Sequence, residues 1–349
     1  MKHLVSFILA LFAVVAVEAS QVSSFSVIPE SSIGHGTHST MTFVNRSLVP
    51  APVVGFDNVR IRNTGDMGYP DPDNVGAFRT VCDYSHMNFD DPIVYPGRPG
   101  AAHLHVYFGN TSVNAATTTA NITEMGNSTC RGGIVNRSGY WAPAMIDTRN
   151  GAPMKPLFSH VYYKTGYQGV ANSQVRPMPK GLRMIAGDAS NTVVKPRWET
   201  NVSYGCDGGG SDTIPTCQPG QILEMHIDFP QCWNGVNLDS ANHRSHMAYG
   251  RWAPVAGSPG SGCPASHPVP IPSISFIILY PVTGNDTSTW RLSSDINGSV
   301  AGTSGHADWM DGWRGQTPGE YLPNVFVARL LNQGLSGGSH MIGDGRIME

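Results

Sequence analysis

Ile274-Ser-Phe-Ile-Ile-Leu-Tyr-Pro-Val282 is the most apolar strand-like run in the chain. It is rich in β-branched and aromatic residues and too short for a typical helix, so it reads as a strand. Apolar residues at successive positions leave neither face polar, which places the strand at the centre of a sheet. Working outward, Ile222–Phe229 (ILEMHIDF) and Phe158–Lys164 (FSHVYYK) alternate with the two-residue period of a strand. Ala77–Tyr84, His103–Gly109, Tyr140–Ile146, Leu182–Ala186 and Trp290–Asp295 read the same way. The 40 glycines and 26 prolines suit turns and disfavour helix interiors.

Two segments carry helical character. Asn110–Thr129 has Ala115, Ala116 and Ala120, although its threonines make it a poor helix. Tyr321–Gln333 has Val325, Ala328 and Leu331 at helical spacing and Gly334 as a stop. Many short strands without alternating helices indicate an all-β chain. The expected architecture is a single β-sandwich or jelly-roll-like domain with long loops and a short C-terminal helix. The expected layout is a signal peptide over 1–19, a leader over 20–54, the β domain over 55–335 and a tail over 336–349.

The apolar run Leu4–Val17 follows Lys2, and Val17-Glu18-Ala19 fits a signal-peptidase site. The run is shorter than the ~20 residues that span a bilayer, so cleavage and export are expected, with no membrane anchor. Eight glycosylation sequons begin at Asn45, Asn110, Asn121, Asn127, Asn136, Asn201, Asn285 and Asn297. The six cysteines suit an oxidising compartment. Six cysteines allow fifteen pairings. The nearest-neighbour one is favoured because Cys206 and Cys217 bracket a Gly/Asp/Pro-rich loop; it would join Cys82 to Cys130, Cys206 to Cys217 and Cys232 to Cys263. The absence of a CxxC argues against a thiolate metal site. Charged residues are 13% of the chain, its net charge is −3, and no basic block occurs, which argues against a nucleic-acid partner.

Four polar clusters could carry chemistry. His103 and His105 lie two apart, so a strand would place both on one face, suited to a divalent metal or an anion. Pro230–Gly250 holds Trp233, Asp239, His243, Arg244, His246 and Tyr249 with little aliphatic content. His267 stands near prolines in Cys263–Pro268, and His306 and Asp308 share a face if extended. Metal candidates are His103, His105, His246 and His306. Tyr140, Trp141, Trp233 and Trp309 sit beside polar residues, as rings that stack on sugars do. With His103, His105, His267 and His306 they form the expected substrate-binding set.

The motifs PGRPGAAHLHVYFGN, STCRGGIVNRSGYWAPAM, PKGLRMIAGD, CWNGVNLDSANHRSHMAY, CPASHPVPIP and HADWMDGW occur in the order found in the DUF1996 family. The chain resembles that family from about Phe56 to Gly334. The resemblance implies a secreted protein acting on extracellular or cell-wall polysaccharide. The family pattern carries CWDG where this chain has Asn234, which leaves an acid role at that position in doubt.

Glycan cleavage is the leading functional expectation, with Asp239, His243, Arg244, His246 and Asp308 as catalytic candidates. Hydrolysis would pair Asp239 with Asp308, with Asp83 and Asp228 in reserve. Elimination would use His243 or His246 as base, Tyr249 as acid and Arg244 against a uronate carboxylate. The alternatives are a non-catalytic carbohydrate-binding or wall protein and a His-based metal protein.

Overall fold

The computed structural model describes residues 41–65, 76–251, 262–325, 340–342 and 344–349. The chain divides into residues 1–35, which lie outside the described residues, and a unit spanning Gly36–Glu349. The expected signal segment, much of the leader and the C-terminal helix beyond residue 325 also lie outside the described residues.

The all-β expectation holds. The core is one nine-stranded antiparallel sheet. Its strands are β1 (Ala77–Asn88), β2 (His105–Gly109), β3 (Gly139–Pro143), β4 (Phe158–Lys164), β5 (Arg183–Gly187), β6 (Val202–Cys206), β7 (Ile222–Asp228), β8 (Ser273–Pro281) and β9 (His306–Met310). Their spatial order is β5-β9-β3-β2-β1-β4-β8-β7-β6. The apolar run of the sequence is β8, flanked by β7 and β4.

β1 belongs to both halves of this sheet. Ala77–Asp83 pair with β4, whereas Tyr84–Asn88 pair with β2, and the register shifts between Tyr84 and His86. Such an irregularity bends a strand and re-aims its side chains. The sheet therefore turns at β1, and β5 near one edge comes against β7 near the other. Between the halves, Phe78, Val106, Phe108, Tyr140, Val161, Tyr163, Met225 and Phe276 form a continuous apolar core.

In β4 and β7 the alternation is simple, with one face buried and the other half-buried. In β2, β3 and β9 every residue is buried. A second apolar cluster explains this: Ile93, Val113 and Ile122, from loops, cover Tyr107, Trp141 and Ile185 on the outer face. The segment 110–129 is thus a run of turns packed on the sheet and not a helix. Asn110 anchors it, its amide donating to the carbonyls of Ile122 and Met125.

The three disulfides follow the nearest-neighbour pairing. Two of the sequons do not fit this fold as glycan carriers. Asn110 and Asn136 are buried at 1% and 0% exposure, and Asn136 accepts a hydrogen bond from Tyr140 inside the core. Asn285 and Asn297 stand on exposed turns. Among the described residues no helix is long and apolar enough to cross a membrane.

Cys82–Cys130 spans 48 residues and Cys206–Cys217 only 11. Loop-closure entropy alone then makes the long bridge worth about 1 kcal/mol more. The double variant Cys82→Ala/Cys130→Ala should lose more stability in urea unfolding than Cys206→Ala/Cys217→Ala. Equal losses would contradict this ranking.

Candidate functional site

The site lies on the outer face of the half-sheet formed by β5, β9, β3 and β2. Antiparallel register sets Tyr107 beside Trp141, Trp141 beside Asp308, and Asp308 beside Ile185. One step along the same face, His105 lies beside Pro143 and His306 beside Gly187. Pro143 offers only a compact ring, and the imidazoles of His105 and His306 approach with centroids 5.9 Å apart. Gly187 has φ +72°, and a Cβ there would stand 2.2 Å from the Gly305 carbonyl oxygen, so this close approach beside His306 requires glycine.

The connection between β1 and β2 closes over this row. Its Asp91 accepts N–H bonds from Ile93 and Val94 on one oxygen, an Asx turn that fixes the carboxyl. Its His103 brings a third imidazole, centred 4.1 Å from that of His105 and 4.9 Å from that of His306. One ligand atom from each of His103, His105 and His306 falls within a mutual 4.8 Å, and so does one from each of Asp91, His105 and Asp308. His105 belongs to both sets.

The hydrogen bonds determine what these groups offer. His105 Nδ1 faces the Asp90 carbonyl at 2.9 Å, and His306 Nδ1 faces the Ser304 carbonyl at 2.8 Å. A carbonyl only accepts, so each Nδ1 carries the proton and each neutral ring keeps its Nε2 lone pair. Among the described residues, His105 Nε2 and both Asp308 carboxyl oxygens are buried and have no hydrogen-bond partner.

Burial lowers His105 to a pKa of about 4. Burial and the neighbouring His105 lower His306 to about 3. Both rings are therefore neutral at physiological pH, the form that binds metals. Burial and the neighbouring Asp91 raise Asp308 well above the usual carboxylate range, and burial raises Asp91.

Pro230–Gly250 has a different task from the one its composition suggests. It covers the free edge of β5. Arg183 N–H donates to the Leu238 carbonyl, His246 Nε2 donates to the Arg183 carbonyl at 2.7 Å, and Arg244 Nη1 donates to the Gly187 carbonyl at 2.7 Å. Edge strands need such cover. His246 also bonds Ser240 Oγ through Nδ1, so both its nitrogens are committed and the metal role expected for it is corrected. The elimination base expected at His246 is corrected on the same ground.

Asp239 is held by Arg183 at 3.2 Å and His243 at 3.0 Å. It is a structural ion-pair partner in this geometry and not a free acid. Tyr249 donates to the Asp228 carbonyl, in a groove that shares no residue with the His/Asp row. Asp228 itself pairs with Lys164, and Asp83 lies in β1. Arg244 remains exposed at the rim, and His267 bonds Ser266 and the Ser245 carbonyl on the covering loop. Asn234 Oδ1 accepts from Val236 and Asn237 N–H, a turn role that Asn fills as well as Asp.

The aromatic substrate platform also requires correction. Tyr140, Trp141 and Trp309 are each 0% exposed, so no sugar face reaches them. Trp233 is half-buried and donates to the Asn237 carbonyl. Two residues passed over in the sequence matter here: Asp91 within the site, and Asp90, whose carbonyl orients His105. An adjacent Asp-Asp-Pro before a β-rich segment reads as a turn, and only the folded loop shows where it points.

The fold and this geometry define a disulfide-braced, all-β protein with a buried His/Asp cluster on one sheet face. A family model described as a domain of unknown function (DUF1996) matches residues 91–313. The chain belongs to that family. The matched span runs from Asp91 to Trp313 and so contains all five cluster residues. No curated protein and no solved structure matches the chain.

Because Trp141 is fully buried, Trp141→Ala should cost about 3–5 kcal/mol in urea unfolding. A loss below about 1 kcal/mol would show that the ring is not a core residue.

Proposed function

We propose that the chain is an exported metalloprotein that holds one divalent transition-metal ion at His103, His105, His306 and Asp308, with Asp91 as a further oxygen donor. Two donor groups that share His105 carry this reading: His103, His105 and His306, and Asp91, His105 and Asp308. In them His105 Nε2 and the Asp308 carboxyl are buried and without hydrogen-bond partners among the described residues. Imidazole and carboxylate donors suit zinc, copper or iron, and Zn2+ is the natural reference probe. A tetrahedral Zn2+ site with bonds of about 2.0–2.1 Å sets its ligand atoms about 3.4 Å apart. Within each of the two groups the ligand atoms lie within 4.8 Å of one another, so side-chain adjustment about the shared His105 would bring them onto one ion. The backbone carbonyls of Asp90 and Ser304 supply the outer-shell contacts that fix tautomer and ring orientation in metal sites.

Export is supported by three disulfides and by the signal-like N-terminus. For substrate we keep extracellular or cell-wall polysaccharide. Two-carboxylate hydrolysis is the weaker route, because Asp239 is already engaged by Arg183 and His243. Metal-assisted chemistry, or metal-braced binding, suits these side chains better, with exposed Arg244 as a cationic rim for an anionic sugar.

Elemental analysis and calorimetric titration of chelator-stripped protein with Zn2+ test the metal reading. The expected result is about one equivalent per chain, a raised Tm, and at least about 100-fold weaker binding in His105→Ala and Asp308→Asn. No saturable binding tighter than about 10 μM, or binding unchanged in both variants, would overturn it.

A further inference from the structure

A groove among the described residues shares none of its lining with the His/Asp site. Its volume is about 500 Å3, and Lys164, Trp198, Asn201, Asp228 and Tyr249 are among its walls. That size lies within the roughly 300–1,000 Å3 typical of small-ligand sites. Trp198 stands 74% exposed there, an unusual state for an indole on an ordered turn.

Trp198 belongs to the single helical turn Arg197–Thr200. Asn201 ends the turn in the left-handed conformation, at φ 56° and ψ 26°, and its N–H returns to the Arg197 carbonyl. Asparagine is one of the few residues with a side chain that adopts this conformation readily. The cap brings the Asn201 side chain and the Trp198 ring, three residues apart, into one groove. Asn201 also opens the sequon Asn201-Val202-Ser203.

We infer that Asn201 carries an N-linked glycan and that the groove is the seat of that glycan, with its first sugar rings against Trp198. The C–H face of a sugar covers an indole that otherwise meets water. The Lys164–Asp228 pair at 3.2 Å supplies polar partners for hydroxyl and acetamido groups. A sugar attached at Asn201 has an effective local concentration of about millimolar, so it outcompetes a free saccharide for the same walls. The contrast with the other seven acceptors is specific: Asn110 and Asn136 are buried, and none of the remaining five (Asn45, Asn121, Asn127, Asn285 and Asn297) lines this groove. The inference is independent of the metal site and shares with the proposed function only the exported setting.

Ser203→Ala removes the sequon and leaves the Asn201 cap in place. The full chain, Ser203→Ala, Trp198→Ala and the double variant, secreted from a eukaryotic culture, form the test. Glycopeptide mass spectrometry should find Asn201 occupied in the parent chain. Ser203→Ala should lower Tm on the order of 1–3 °C and expose a tryptophan component to acrylamide quenching. In the Trp198→Ala background, Ser203→Ala should shift Tm no further. An unmodified Asn201 beside a modified Asn285 or Asn297 would overturn the inference. Fully additive Tm shifts would also overturn it. So would equal binding of a soluble oligosaccharide by parent chain and Ser203→Ala, which would assign the groove to a free ligand.

Discussion

Burying polar atoms without partners is the constraint on which this structure turns. A buried donor or acceptor left unpaired costs about 1–3 kcal/mol, and a charged one costs more. Here His105 Nε2 and both oxygens of Asp308 are buried without partners among the described residues, beside the Nε2 lone pair of His306. Three such atoms on one sheet face weigh heavily against a net stability of about 5–15 kcal/mol. The cation proposed here would satisfy all of them at once, and the Nδ1–H bonds to carbonyls present both rings in the ligand tautomer.

The sheet makes this arrangement local. Antiparallel register over β2, β3 and β9 sets His105, His306 and Asp308 on one face, whatever the loops do. The loop before β2 adds Asp91 and His103, and the Ile93, Val113 and Ile122 cluster beside them excludes water. The long polar stretch 230–250 then covers the edge of β5. Its hydrogen bonds are mainly structural, and its Arg244 is the exposed cation at the rim. The groove at Trp198 sits on the other half of the sheet, so the two functions proposed here make separate demands on the sequence.

Much of the fold was legible. FSHVYYK and ILEMHID alternate because one face of each strand meets the core, whereas ISFIILYP keeps Ile277 and Leu279 apolar although they are only half-buried; its central place is set by β4 and β7 on either side. Of the fifteen pairings that six cysteines allow, the favoured nearest-neighbour one forms, but the sequence does not select it by itself. Val202–Cys206 escaped notice, since Gly205 and its short length weaken the strand pattern. In the site, His103, His105, His306 and Asp308 were legible as same-face pairs on extended chain. Asp91 was not, because its chemistry depends on where a turn points. Tyr140, Trp141 and Trp309 looked like surface rings since their neighbours are polar. Loop cover over the second sheet face buries those neighbours as well, and no local pattern reveals loop cover.

X-ray absorption at the metal edge of the Zn2+-loaded protein tests the central claim most directly. Imidazole scattering from two or three histidines, with nitrogen and oxygen ligands at about 2.0–2.1 Å and a reduced histidine signal in His105→Ala, is the result this structure predicts. A shell of oxygen ligands without imidazole scattering, unchanged in His105→Ala, would contradict it.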